Sequence, residues 1–460
     1  SPMPTSSTSR PAVSSNRAIS GMNGSTEYRH SSTCLKNSGV PGSAPAVFAP
    51  HGAPSQKVRT SSLSSSDIAR QGSVARVATS PIRVALVTGE PTPYRIPHLR
   101  ALAARPELDL TVFYAAATVQ RRTWSVEHDE AVYLSGPALP LSRVLHHDYA
   151  LTPGIWSRLE RGRFDLVVVG GWSLMATQLA ILWCRVRRVP YVLMSDNHLL
   201  EPRPAWVRAV KRAILPRLVP QAAAWLVPGS LARDHIVAYG ARPERTLVFP
   251  LTVDVDALAR RVDELREKRE EVRGRLGLRA EGIVVLHVGR LIEMKAPADV
   301  LRAVAAVRAR TGVDPTALLV GDGPEEGRLR SLAGELGVRA VFAGMLAGDD
   351  LAAAYAAADI FALLSHRETW GVVVNEAAAA GLPLVLSDRV GAAGDLLEPG
   401  GNGVAVPAGD ADTQGLALAV LASDPERRAA YGRRSRELVA EWGYEPSVES
   451  FVRLAQELVC

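Results

Sequence analysis

The chain has 460 residues, 47% of them hydrophobic and 22% charged. That is enough for two ordinary domains plus extra segments and excludes a wholly disordered or fibrous chain. The net charge of +6 sits entirely in residues 1–80, with eight basic and two acidic side chains, so 81–460 is formally neutral and has no global signature of nucleic-acid binding.

Residues 1–80 are rich in Ser, Pro, Gly, Ala and Arg without a steady period and read as a disordered leader. The same bias suits an organelle transit peptide. Ile82 to Thr88 is a short β-branched run that reads as a buried strand. A helix pattern follows over Pro97 to Ala104. Further strands are expected at Leu108–Tyr114, Asp165–Val169, Tyr191–Ser195, Ala224–Val227 and Thr246–Phe249, with helices at Ser173–Arg187 and Leu231–Tyr239. A charged stretch, Leu258–Arg275, reads as a solvated helix. The second half repeats the alternation. Strands are expected at Ile283–Val288, Ala317–Val320, Ala340–Phe342, Ile360–Leu364, Leu384–Leu386 and Gly403–Val406. The helix Pro297–Arg310 carries Val300, Leu301, Val304 and Val307 on one face, and others cover Glu325–Leu336, Asp349–Ala358, Val372–Ala380 and Thr413–Ala422. Two helical pieces flank Trp442-Gly443-Tyr444 near the end. Strands alternating with helices predict parallel sheets covered on both faces. The three cysteines, Cys34, Cys184 and Cys460, are too few and scattered for a disulfide framework or zinc site and fit a reducing, cytoplasmic setting.

In open parallel sheets ligands bind beyond the carboxyl ends of the strands. The loop from Val288 to Lys295 ends a strand and precedes a helix. Gly289 permits close backbone approach, and Arg290 and Lys295 place two cations beside a helix start, as a diphosphate needs. The loop from Ser365 to Glu376 has the same setting. Glu368 lies on it, and Glu376 follows eight positions later, inside the next helix. The amides of Trp370, Gly371 and Val372 open that helix and suit phosphate oxygens, while the two carboxylates suit vicinal hydroxyls.

The Glu-x7-Glu pattern within HRETWGVVVNEAAAAGLPLVLSD resembles the donor signature of the retaining GT-B glycosyltransferases of family 4. HVGRLIEMK, LLVGDGPEEGRLRSLAGELG and VFAGML resemble that family's intervening segments in order and spacing. VALVTGEPTPYRIPHLRALA and AAAWLVPGSLARDHIVAYGARPERTLVFP resemble its first and last N-domain units, so the likeness covers most of 82–459. It implies an α/β fold of two Rossmann-like domains facing a cleft. These are an acceptor domain over 81–256 and a donor domain over 257–435, with a helix in 436–460 crossing back to the first domain. By the same resemblance, Arg290 and Lys295 bind the donor diphosphate, Glu368 holds the transferred sugar, Glu376 holds the ribose, and backbone near Met345 meets the base. His198, after Ser195-Asp196-Asn197, stands where similar enzymes keep a histidine near the reacting sugar. Gly89 to Arg95 lacks the Gly-Gly pair many relatives carry, which leaves Tyr94 and Arg95, with Asp196, to meet the acceptor.

Such a site transfers a sugar from a UDP-, GDP- or ADP-sugar to an acceptor hydroxyl of a lipid-linked, glycan or small-molecule acceptor. Two cations and a helix start offset the leaving group's charge, so neither cofactor nor metal is expected; Asp254-x-Asp256 reads as a linker and Asp349-Asp350 as a helix start. Retention follows from the resemblance alone. A dinucleotide oxidoreductase is disfavoured, because Gly321-Asp322-Gly323 continues to Gly327 with the wrong spacing. A GT-B-shaped epimerase and a non-catalytic nucleotide-sugar binder remain as alternatives. The stretch Arg203–Leu215 mixes cations, Trp206 and aliphatics at helical spacing. It suits either peripheral contact with an anionic membrane at its inner face or an ordinary surface helix.

Overall fold

The computed structural model describes residues 80–116, 128–134, 136–139, 149–196 and 205–459. The leader expected over 1–80 therefore falls, except for Ser80, outside the described residues, as does His198.

Strands β1 (Ile82–Thr88), β2 (Leu108–Tyr114), β3 (Val132–Tyr133), β6 (Leu166–Gly170), β7 (Tyr191–Met194), β8 (Ala224–Val227) and β9 (Thr246–Val248) form one parallel sheet. Its order is β3-β2-β1-β6-β7-β8-β9. A small antiparallel pair, β4 (Ala138–Leu139) and β5 (Tyr149–Ala150), lies outside it. Helices α1 (Arg95–Ala103), α2 (Ile155–Gly162), α3 (Met175–Arg187), α4 (Ala205–Leu218) and α5 (Ser230–Val237) link the strands. The two-residue period of a strand divides the core. Val84 and Leu86 of β1 face one side with Leu99 of α1, while Ala85 and Val87 face the other with Ile155, Ala180 and Ile236 of the crossover helices.

Helices α6 (Val255–Arg266) and α7 (Arg269–Arg275) lead into the second sheet. It contains β10 (Val284–Val288), β11 (Thr316–Val320), β12 (Ala340–Phe342), β13 (Ile360–Leu363), β14 (Leu384–Ser387) and β15 (Gly403–Val406). These are also parallel, in the order β12-β11-β10-β13-β14-β15. Its helices are α8 (Pro297–Thr311), α9 (Glu326–Glu335), α10 (Gly348–Ala357), α11 (Val372–Ala379), α12 (Ala393–Leu396), α13 (Ala411–Ser423) and α14 (Pro425–Ala440). In both sheets the strand order reverses direction beside the first strand, at β1/β6 and β10/β13, which opens a crevice at those carboxyl ends.

The last helix, α15 (Tyr444–Val459), returns to the first domain. Its Val448, Phe451, Val452 and Ala455 make one helical stripe and enter the core that holds Val84, Leu86 and Leu99. His98 sits in this junction, stacked on Phe249 with ring centres 4.2 Å apart and facing Ser447 Oγ at 2.8 Å.

One expectation needs correction. Leu258–Arg275 is not one solvated helix. It is broken between α6 and α7, and Val262 and Val272 enter the second core. Arg273 is only 3% exposed, and its guanidinium donates to the carbonyls of Ala357, Ala280 and Gly282 and to Asp359. A charge-rich pattern can hide an arginine that stitches two elements together.

Candidate donor and acceptor site

The second sheet builds the charged half of the site. At the end of β10, Gly289 N donates to Val320 O (2.9 Å) and Leu291 N to Asp322 O (2.7 Å). The loop carrying Arg290 is thereby held against the Gly321–Gly323 turn. Both those glycines have φ in the left-handed region, and a Cβ on either would meet the backbone of residues 289–291. The Gly-Asp-Gly run thus has a steric purpose here, unrelated to a dinucleotide fingerprint. Arg290 is exposed, with no side-chain hydrogen bond or ion pair among the described residues.

Lys295 Nζ forms an ion pair with Glu368 Oε2, and both side chains are largely buried. The structure thus brings together the cation and carboxylate that the sequence assigned to different parts of a donor. Glu368 is anchored from behind, because its N–H donates to Arg389 O (3.0 Å) and its carbonyl accepts from Gly391 N (3.0 Å). His366 ties the same loop to α8 through Asp299 Oδ2 at 2.9 Å. Gly371 caps α11 with φ 92°, and a Cβ there would lie 3.1 Å from Glu368 Cγ, so the turn that presents Glu368 requires glycine. The amides at the start of α11, from Val372 onward, precede its own hydrogen-bond ladder.

Trp370 is different. Its indole is buried, stacks on Trp442 at 5.3 Å and donates through Nε1 to Asn375 Oδ1 (3.0 Å). Asn375 in turn donates to Thr252 Oγ1 (3.2 Å). The side chain therefore knits the two chain crossings between the domains, and only its backbone is available to a ligand.

Glu376 is half-buried one turn into α11 and accepts from Tyr355 Oη at 2.6 Å. Burial pushes its carboxyl up to about 7, only partly opposed by the tyrosine hydrogen bond. Beneath the Arg290 loop, His287 is fully buried. Burial lowers its imidazole to about 4, against a hydrogen bond to Ala362 O, with nearby Lys295 lowering it further. Met345 is exposed just beyond β12. Of the carboxylates weighed as metal ligands, Asp254 caps α6 through Ala257 N (2.9 Å) and Asp349 pairs with Arg261.

The first sheet builds the polar half. A cavity of about 140 Å³ opens at the ends of β1, β6, β7 and β8, lined among others by Thr88, Thr92, Arg95, Ser195 and Phe249. Tyr94, Glu90 and Asp196 are also on its wall. Thr92 Oγ1 and Ser195 Oγ are buried there without a partner among the described residues. Arg95 touches Met194 Sδ at 3.8 Å. Gly170 is needed at its floor, because a Cβ would lie 2.6 Å from Thr88 Oγ1.

The halves meet at a contact that sequence reasoning missed. Asp395, on the short helix α12, accepts from Ser230 N (2.9 Å) and Ser230 Oγ (3.1 Å), so a carboxylate of the second domain caps α5 of the first. Gly229 leaves room for it. The only sequence signal was a Gly-Ser pair before a helix.

Two family descriptions match this chain. "Glycosyl transferase 4-like domain" covers residues 84–252 and "Glycosyl transferases group 1" covers 268–438. The solved structure of Anabaena HepE in complex with UDP and glucose has the same fold: TM-score 0.62 at 19% identity, covering 82% of this chain and 100% of that one. The chain belongs to the family-4-like GT-B glycosyltransferases. Among curated relatives, the sulfoquinovosyl transferase of Arabidopsis thaliana is 28% identical over 341 residues, 71% of this chain and 60% of that protein. The D-inositol 3-phosphate glycosyltransferase of Saccharomonospora viridis is 32% identical over 255 residues, 52% of this chain and 57% of that protein. The chain thus spans somewhat over half the length of these two relatives.

Proposed function

We propose that this protein is a retaining, metal-independent glycosyltransferase that moves a sugar from a nucleoside-diphosphate sugar to an acceptor hydroxyl. The observation that carries the reading is the Lys295–Glu368 pair. It lies in the same loop region as the start of α11 and Arg290, which has no ion pair among the described residues, at the switch point of one parallel sheet, while the other sheet offers a polar cavity at its own switch point. HepE was solved with UDP and glucose, which supports a nucleotide-sugar donor.

In this reading Arg290, Lys295 and the backbone of Trp370, Gly371 and Val372 hold the diphosphate, with Gly289 keeping the loop close. The donor takes over Lys295 and releases Glu368 to accept from the sugar hydroxyls. Glu376 accepts from the ribose, and the backbone at Met345 borders the base. The positive field stabilises the departing diphosphate as the anomeric carbon becomes oxocarbenium-like. A leaving-phosphate oxygen takes the acceptor proton on the same face, which gives retention. The acceptor sits in the cavity beside Tyr94, Arg95 and Asp196, whose size admits one ring of sugar or polyol. Thr92 and Ser195 supply hydroxyls that have no partner among the described residues. His198, two positions after Asp196 in the sequence, orients the acceptor or the sugar in this reading, and Arg203–Leu215 is a membrane contact of the same domain.

The test is nucleotide release from a panel of UDP-, GDP- and ADP-sugars. Slow hydrolysis of one donor by the wild type, reduced at least about 100-fold in Glu368→Ala and Arg290→Ala, is the expected result. Equal release by wild type and both variants overturns the assignment.

A further inference from the structure

We propose that the outward sides of α3 and α4 form a surface that docks on an anionic lipid bilayer, extending the contact suggested for Arg203–Leu215 to a second helix. Both helices cover the same face of the first sheet. Ala176, Ala180 and Cys184 of α3 and Leu215 of α4 enter one core with Leu193 and Trp225.

Their solvent sides have a biased composition. The two helices carry six cations, Arg185, Arg187, Arg208, Lys211, Arg212 and Arg217, and no acid; Arg187 is paired with Glu160 of α2, which leaves an excess of five. Residues 81–460 as a whole are charge-balanced, so this is a local excess. Between the cations stand four aliphatic side chains: Leu182 and Val186 are 49% and 58% exposed, Val210 and Ile214 48% and 53%. Each pair is spaced i, i+4 and so shares a helix face. The described residues expose nine large hydrophobics in all, and four of them lie on these two helices.

Single exposed aliphatics need no explanation, but clusters of them do. Cations alone would suit any polyanion. Aliphatic tips among them gain nothing from a phosphodiester backbone, whereas a bilayer offers both anionic headgroups and acyl chains within a few ångströms. No described helix is long and apolar enough to cross a membrane, and the proposed contact is a peripheral one. This docking depends on the fold and not on the proposed transfer, and either can fail without the other.

The test is sedimentation of the full chain with vesicles of phosphatidylcholine alone or with 30% phosphatidylglycerol. Three double variants accompany it, Arg208→Gln/Arg212→Gln, Val210→Ser/Ile214→Ser and Leu182→Ser/Val186→Ser, each checked for unchanged circular dichroism. Binding to the anionic vesicles only, weakened about fivefold per cation removed and also weakened by the serine pair, is expected. Leu182→Ser/Val186→Ser is expected to weaken it likewise. No binding, or equal binding to both vesicle types, overturns the proposal. Anionic binding that survives all three variants assigns it to another surface, such as the basic residues of 1–79, and also overturns it. Loss in the charge variant alone, with equal binding to duplex DNA, identifies a general polyanion surface instead.

Discussion

Replacing Gly229 by alanine is the sharpest probe of how the two domains are joined. Gly229 has an extended backbone, φ −179°, so alanine is free of torsional strain there and any effect must be steric. The added Cβ would lie 2.9 Å from Trp370 Cη2 and closer still to Trp370 Cζ3 and Asp395 Oδ2. Neither neighbour yields easily. The indole is clamped by its stack on Trp442 and its bond to Asn375, and the carboxylate holds both polar groups of Ser230. Overpacking of this kind costs about 1–3 kcal/mol, and weakening two hydrogen bonds to a charged acceptor adds about 1–2 kcal/mol after allowance for their partial exposure. The expected loss is about 2–4 kcal/mol, measured by urea unfolding. Asp395→Ala should cost about 2 kcal/mol, and Asp395→Asn, which keeps one acceptor oxygen, less than about 1 kcal/mol. The double variant Gly229→Ala/Asp395→Ala should be less damaging than the sum, because half of the clash has gone. A Gly229→Ala protein within about 0.5 kcal/mol of wild type, or strictly additive single changes, refutes the reasoning.

Glu376→Gln should flatten the pH dependence of stability between 4.5 and 7. The folded carboxyl is raised from 4.5 to about 7, so its stabilising effect is fullest below 4.5 and is lost as pH rises through 7. Thermal melts of both proteins at pH 5 and 8 check this. His98 acts in the opposite sense. Burial lowers it from 6.5 to about 3, so its contribution is complete above 6.5 and lost as pH falls towards 3. His98→Phe, which keeps the stack on Phe249, should reduce acid sensitivity in that window, at a cost of about 1 kcal/mol at pH 8 for the Ser447 bond. Arg273→Met removes one of the two guanidinium partners of Asp359, which keeps Arg269, and takes a donor from the carbonyls of Ala357, Ala280 and Gly282; it should destabilise by about 2–4 kcal/mol in urea unfolding. Chelator treatment should leave donor turnover within about twofold of the untreated enzyme, because cationic side chains and backbone amides supply the electrostatic stabilisation; a loss beyond tenfold that added metal restores would contradict that part of the proposal.

The sheets were readable because their strands are continuous apolar runs between glycine-bearing loops, the pattern of parallel strands buried on both faces. The run from Val284 to Val288 and its neighbours need no partner information to be recognised. The last helix was readable as a helix, since Val448, Phe451, Val452 and Ala455 repeat at helical spacing, whereas its return to the first domain was implied by the family resemblance alone. Tertiary relations were harder. Nothing local to Lys295 or Glu368 says that they pair across 73 positions, and nothing around Trp370 says that its ring turns towards Trp442 and not into the cleft. Asp395 is one acid among many in the chain, and its capping of Ser230 exists only once two domains are folded and apposed. The cavity beside Arg95 is likewise assembled from four strand ends. Its buried hydroxyls, Thr92 and Ser195, look like ordinary residues in the sequence.

The central claim is that the Arg290, Lys295 and Glu368 cluster binds a nucleotide sugar. Calorimetric titration of the wild type and of Arg290→Ala with UDP-, GDP- and ADP-sugars addresses it most directly. The account predicts one-site binding of one donor class by the wild type, weakened at least about tenfold in the variant by loss of a charge-assisted phosphate contact. Absence of binding by any of the three donors, or equal affinity in both proteins, contradicts it.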